Sequence, residues 1–253
     1  MPTRQSRQLL LAAALAALPF AQDAAAEPPE PTPFTATSDQ IRSWIKSVEG
    51  TRRLPVTGMS LAKVGDKMML VSENGRFAVV GNFRLLDVWN AKEVKTLADG
   101  DDLDRMDLKR IGIKDGDLAQ FLYGSGPKHV HVFLDPWCQH CHDLVAQMEP
   151  LLKTHTFHLV LTPVLGEKSV ATVKKLACLA DKGKALEALL AQRYDGLPEA
   201  GPCDLTALQK TLMATRLMGI DGVPYLILPS TKTRRGGTRE LKALLEADAE
   251  ANP

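Results

Sequence analysis

The apolar positions follow a short-strand pattern in the first third of the chain and alternate between strand and helix periods beyond residue 128. Ser38 is a suitable N-cap for a short helix over Asp39–Val48. A compact β pattern follows, with runs at Gly58–Val64, Lys67–Ser72, Arg76–Val80 and Phe83–Trp89. Asn74-Gly75 lies between two of these runs, and that dipeptide accepts the positive φ of a tight hairpin turn. Ala91–Phe121 is charged and helix-leaning but is interrupted by Gly100, Gly112 and Gly116, so it reads as a broken helical linker. Gly124-Ser125-Gly126-Pro127 then punctuates the chain.

From His129 the pattern predicts a strand to Asp135 and a helix over Cys138–Lys153. A strand at Phe157–Pro163 and helices over Ser169–Asp181 and Lys184–Arg193 come next. A long helix over Leu205–Met218, a strand at Tyr225–Leu228, a basic hairpin tip through Arg234-Arg235-Gly236-Gly237 and a closing helix over Arg239–Ala247 complete the series. This order predicts an α/β fold, α+β overall, with one mixed sheet. The domain division is 1–26 leader, 27–37 flexible segment, 38–90 small β-rich domain, 91–126 helical linker and 127–253 α/β domain.

The leader reads as an export signal. Arg4 and Arg7 precede an apolar stretch, Leu9–Phe20, and Ala24-Ala25-Ala26 offers a small-residue cleavage site before Glu27. About 12 apolar residues fall short of the ~20 that span a bilayer. The expected location is therefore an oxidising compartment outside the cytoplasm. A net charge of +1 gives no electrostatic case for nucleic acid or anionic membrane surfaces.

The chemistry concentrates in Trp137-Cys138-Gln139-His140-Cys141-His142, directly after a strand. A Cys-x-x-Cys pair where a strand hands over to a helix is the layout of a thiol–disulfide redox site, because the first turn's unpaired N–H groups favour an ionised sulfur. Cys138, at the helix start, is the expected nucleophile, and Cys141, one turn further in, the resolving thiol. A partly protonated His140 between them would add positive potential and make the pair more oxidising. Trp137 would shield the site and offer clients a flat apolar contact. This chemistry needs no cofactor and no metal.

Other readings stay open at this stage. Cys-x-x-Cys-His is also the attachment signature of c-type haem, which would make the protein an electron carrier. A zinc site would need two further ligands, and a purely structural disulfide is the third option. Cys178 and Cys203 complete an even count of four cysteines, and a second, structural disulfide is their economical pairing. Closing that loop of about 25 residues would stabilise the fold by roughly 3–4 kcal/mol; an electron relay with the first pair is the alternative. Gly222-Val223-Pro224 before a strand is by itself a weak signal for a cis bond. His129 and His131 share one strand face, and His155 and His158 flank an expected turn; all four read as structural or solvated.

The runs FLDPWCQHCHDL and FHLVLTPVLG, the later Cys178/Cys203 pair and the late GVP together resemble the thioredoxin-like domain of the DsbC/DsbG family of bacterial periplasmic disulfide isomerases. Upstream, MMLVSENGRFAVVGNFRLLDVWN is similar to that family's small dimerisation domain. The resemblance implies that Val223-Pro224 is the cis-proline loop beside the Cys pair, with the Val223 backbone pairing with a client strand. It further implies a V-shaped homodimer with an apolar cleft for misfolded disulfide-containing clients, and a DsbD-like membrane reductase that keeps Cys138–Cys141 reduced. A Cys178–Cys203 disulfide matches the DsbC branch. Gln139-His140 departs from the Gly-Tyr of the better-known isomerase, and a His before the second Cys is shared with the strongly oxidising DsbA oxidases. An oxidase or thiol reductase of the same fold is therefore the alternative within the class.

Overall fold

A computed structural model describes residues 37, 39, 43, 46–55, 58–114 and 116–252. The export signal and nearly all of the segment 27–37 lie outside the described residues. Asp39, Ser43 and Lys46 are helical, in keeping with the expected first helix.

A four-stranded antiparallel sheet follows: β1 (Gly50–Arg53), β2 (Met59–Val64), β3 (Lys67–Ser72) and β4 (Ala78–Val79), in that spatial order. The β3–β4 connection is the Asn74-Gly75 turn. Gly75 takes a positive φ of 67°, and the Asn74 side chain accepts the Arg76 N–H at 3.0 Å. A separate hairpin pairs β5 (Leu85–Asp87) with β6 (Lys92–Val94). The Asp87 carboxylate closes it by accepting the N–H groups of Trp89 and Asn90. Leu54, Leu61, Val94 and Leu103 form a small core here.

The segment 91–126 corrects the helix reading, since it contains no α-helix among its described residues. It holds β6, a 3-10 turn at Ala98–Asp102, irregular backbone, and the strand β7 (Gln120–Gly124). The cause is the aspartates that made the segment look charged and helical. Asp99 accepts the N–H groups of Lys95 and Thr96, Asp107 that of Lys109, and Asp117 that of Lys114. These side chains take donors that a helix would need, and Gly112 and Gly116 sit at positive φ.

The second sheet comprises β7, β8 (Lys128–Leu134), β9 (His155–Leu161), β10 (Tyr225–Ile227) and β11 (Thr233–Arg235), in the order β11-β10-β8-β9-β7. β8 and β9 are parallel and every other pair is antiparallel. Helices α1 (Gln139–Val145), α2 (Glu167–Cys178), α3 (Lys182–Leu190), α4 (Thr206–Leu217) and α5 (Leu241–Ala251) complete it. A central parallel pair with an active-site-length connection, a helical insertion, and a terminal hairpin plus helix is a thioredoxin-like arrangement. Strand β8 is buried on both faces: Val130, Val132 and Leu134 join Phe157, Leu159, Leu144 and Leu241 on one side, and Phe133 joins Val160, Tyr225 and Ile227 on the other. Burial on both faces explains why β8 and β9 read as nearly continuous apolar runs.

Three further boundaries move. The helix after Cys138 ends at Val145, and a 3-10 turn at Glu149–Leu151 follows; Pro150 has no N–H with which to continue the helical hydrogen-bond ladder. Arg234 and Arg235 belong to β11, so the hairpin tip lies earlier, where the Thr231 N–H returns to the Leu228 carbonyl. His155 and His158 both lie within β9, so no turn falls between them; His155 directly follows the turn that ends at Thr154.

The β7–β8 connection presses against the start of β9. A Cβ on Gly126 would stand 2.0 Å from the Thr154 carbonyl carbon and 2.1 Å from the His155 nitrogen, whereas one on Gly201 would meet nothing within 4 Å. Gly126→Ala should therefore lower the urea midpoint by an amount worth at least about 2 kcal/mol, with Gly201→Ala near neutral. Equal midpoints for the two variants would refute the close approach.

Candidate functional site

Strand β8 ends at Leu134, and Asp135-Pro136-Trp137 carries the chain to Cys138, the extended N-cap residue of α1 (φ −87°, ψ 111°). The Cys138 N–H donates to the Asp135 carbonyl at 3.1 Å, and the Cys138 Sγ accepts the Cys141 N–H at 3.3 Å. Because β10 runs antiparallel to β8 with Tyr225 opposite Phe133, the residues entering β10 arrive at the same end of the sheet. Val223–Pro224 is a cis peptide there, and the Cys138 thiol donates to the Val223 carbonyl at 3.6 Å. Cys138, Cys141, Val223 and Pro224 are thus brought together. The segment after β11 closes the same side, since a side chain on Gly237 would meet the His140 carbonyl oxygen and the Pro224 ring at 3.6 Å each.

The two thiols are free and unequal. Both are buried, at 6 % exposure for Cys138 and 1 % for Cys141, so Cys138 is the one with a path to solvent. Burial, and then the hydrogen bond with Cys138, pushes the Cys141 thiol well above the ordinary range. Cys141 therefore waits as a protonated thiol. His140 lies exposed on the first turn of α1. His142 turns inward, and its Nε2–H donates to the Pro136 carbonyl at 2.8 Å. Burial holds its pKa below the usual imidazole range, so it is a neutral ring fixed to the site loop.

Sequence reasoning missed the group beneath the loop. The Asp135 side chain has 0 % exposure and accepts four hydrogen bonds: Trp137 N–H (2.8 Å) and Ser169 O–H (2.7 Å) at Oδ1, Val164 N–H (2.8 Å) and Leu165 N–H (3.0 Å) at Oδ2. It thereby ties the site loop to the β9–α2 connection and to the first turn of α2. Trp137 is held on three sides. Its indole N–H donates to Thr172 Oγ1 at 2.9 Å, the Tyr194 ring meets it edge-on at 4.9 Å, and the Lys168 ammonium stands 3.2 Å from its centroid. The Tyr194 hydroxyl also donates to the Pro136 carbonyl at 2.9 Å. Asp135 and Ser169 carried no local motif. Their roles appear only once α2 is folded against β8.

Cys178, the last residue of α2, is bonded to Cys203 in the loop before α4, with Cα atoms 5.6 Å apart. His129 Nδ1 and His158 Nε2 share a hydrogen bond of 2.8 Å, and His131 stacks on His158 at 4.3 Å. Among the described residues no three His, Cys, Asp or Glu side chains are grouped to hold a metal ion.

No family model matches the chain, and no curated protein matches it. Solved structures similar to it include the disulfide interchange protein from Neisseria gonorrhoeae, at 22 % identity over 55 % of this chain and 98 % of that one, with a TM-score of 0.46. A periplasmic thioredoxin-like protein from Salmonella enterica serovar Typhimurium is 19 % identical over 52 % of this chain and 91 % of that one (TM-score 0.44). Helicobacter pylori DsbG is 17 % identical over 74 % of this chain and 98 % of that one (TM-score 0.36). The chain's own sheet order and its free Cys138–Cys141 pair at the end of β8 define a thioredoxin-like dithiol protein.

Two outcomes test this geometry. Alkylation of the reduced native protein at neutral pH should place a single adduct on Cys138, with Cys141 labelled only after unfolding; mass spectrometry reads both. Asp135→Asn turns two acceptor lone pairs into donors facing N–H groups and should cost about 2–4 kcal/mol in urea unfolding; an unchanged midpoint would contradict the four-donor arrangement.

Proposed function

We propose that the chain is an exported thiol–disulfide isomerase that reshuffles wrong disulfides in client proteins. The observation that carries this reading is the inequality within the pair. Cys138 has the route to solvent beside the Val223 carbonyl, while Cys141 is buried and held as a thiol. The Cys138 thiolate attacks one sulfur of a client disulfide, and the other client sulfur leaves as a thiolate, giving a mixed disulfide. If a client thiolate then attacks the mixed disulfide, Cys138 is released as a thiolate and the client has isomerised with no net electron transfer. If Cys141 instead loses its proton and attacks the Cys138 Sγ, the client leaves reduced and Cys138–Cys141 becomes a disulfide. A Cys141 thiol that ionises reluctantly slows this second branch and lengthens the time available for reshuffling. The half-buried Val223 segment beside Cys138 suits pairing with an extended client segment.

In this reading 1–26 is the signal peptide, 38–90 the dimerisation domain, 91–126 the linker and 127–253 the catalytic domain, working in the periplasm with a DsbD-like reductase. Support for a homodimer comes from the small β region, where Phe77, Val79, Leu86, Val88 and Trp89 are exposed apolar side chains. Exposed apolar side chains of this kind suit a protein–protein surface. The described residues contain no helix long and apolar enough to cross a membrane. The haem alternative would need His142 as an iron ligand, and its Nε2 is engaged by the Pro136 carbonyl.

The discriminating experiment is recovery of activity by a scrambled disulfide protein. The wild-type chain should restore it, Cys138→Ala should abolish it, and Cys141→Ala should retain part of it. Isomerisation by Cys138→Ala would overturn the assignment. A wild-type chain that oxidises reduced clients but leaves scrambled ones unchanged would instead establish the oxidase.

A further inference from the structure

The client-facing surface beside Cys138 is built differently from what Trp137 alone suggests. One face of the indole is already covered by the Lys168 ammonium, 3.2 Å from the ring centroid. Lys168 is exposed and takes part in no ion pair among the described residues. Its place is set by helix periodicity: Lys168 and Thr172, one turn apart, both reach Trp137. Glu167, Val170, Ala171 and Lys174 line a cavity on another side of α2. Asp135 accepts the Trp137 backbone N–H and has no exposed surface, with four donors on its oxygens. Asp143, one turn along α1, accepts the Gln139 amide at 2.9 Å. Next to the cation, Val164 and Leu165 are exposed at 38 % and 54 %, with their backbone N–H groups fastened to Asp135. On the Trp137 side the rim is therefore apolar around the Lys168 charge, placed relative to Cys138 through Asp135, Ser169 and Trp137, while Arg234 reaches the Gly237 carbonyl on the Pro224 side.

We infer that Lys168, with Val164 and Leu165, reads the client segment, and that the site selects target cysteines flanked by an acidic residue within an otherwise apolar stretch. A client carboxylate pairs with Lys168 at the edge of Trp137, while its apolar neighbours cover Val164 and Leu165. A client cation at the same place meets the ammonium and is disfavoured. This inference rests on the thiol–disulfide exchange reading.

The test uses the full reduced chain and three synthetic disulfide peptides that differ only in having Asp, Asn or Lys next to the target cysteine. Peptide reduction is followed by stopped flow at low and high salt. The wild-type chain should prefer the Asp over the Lys peptide by about three- to tenfold at low salt, narrowing at high salt. Lys168→Glu should invert that preference and Lys168→Gln should flatten it, whereas Lys174→Glu, on the other side of α2, should preserve it. The inference is overturned if the Asp-to-Lys ratio is the same in Lys168→Glu as in wild type, or if Lys174→Glu inverts it equally. Failure of the wild-type chain to reduce even the Asn peptide would remove the exchange reading itself. Turnover of all three peptides at equal rates would remove only the role of Lys168.

Discussion

Everything at the reactive end of the molecule depends on the buried carboxylate of Asp135. A charge with no exposed surface is costly unless its oxygens are satisfied, and here four protein donors satisfy them. Those donors come from the site loop, the β9–α2 connection and the first turn of α2. The loop that presents Cys138 is therefore fixed to two other parts of the fold. The same bonds hold Ser169 inward, which leaves its neighbour Lys168 over Trp137.

A consequence is that the site's selectivity and reactivity share one scaffold. Trp137 is clamped by Thr172, Tyr194 and Lys168, and Pro136 receives hydrogen bonds from both Tyr194 and His142. A rigid loop lets two thiols three residues apart differ in burial and in readiness to ionise. Cys141 is placed among apolar core residues such as Leu144 and Met148, which disfavour its thiolate. Cys138 belongs to the same cluster but stands at the N-cap of α1 and keeps 6 % exposure. The difference between the sulfurs thus follows from which turn of α1 each occupies and what packs on that turn.

Much of the second sheet was legible in the sequence because its signals are local. Runs such as VHVFL and FHLVLT are apolar over a strand's length, and the Cys pair follows a strand directly; in the first sheet Asn74-Gly75 likewise marks a tight turn. The segment 91–126 was not legible in the same way. Its aspartates have the composition of a solvated helix, yet Asp99, Asp107 and Asp117 fold back onto nearby N–H groups, and composition cannot distinguish those uses. Strand β7 escaped notice for a related reason: it is an edge strand with an exposed Leu122, recognisable only by its pairing with β9.

The sequence by itself determined the reactive chemistry: which residues are the thiols, which comes first on the helix, and which strand carries them. Tertiary structure alone decided what surrounds them. It set Val223 against Cys138 across 85 residues, Ser169 against Asp135 across 34, and Lys168 over Trp137. The physical reason is range. A strand-to-helix handover is encoded by neighbouring residues, whereas a buried carboxylate finds its donors only when separate elements close around it.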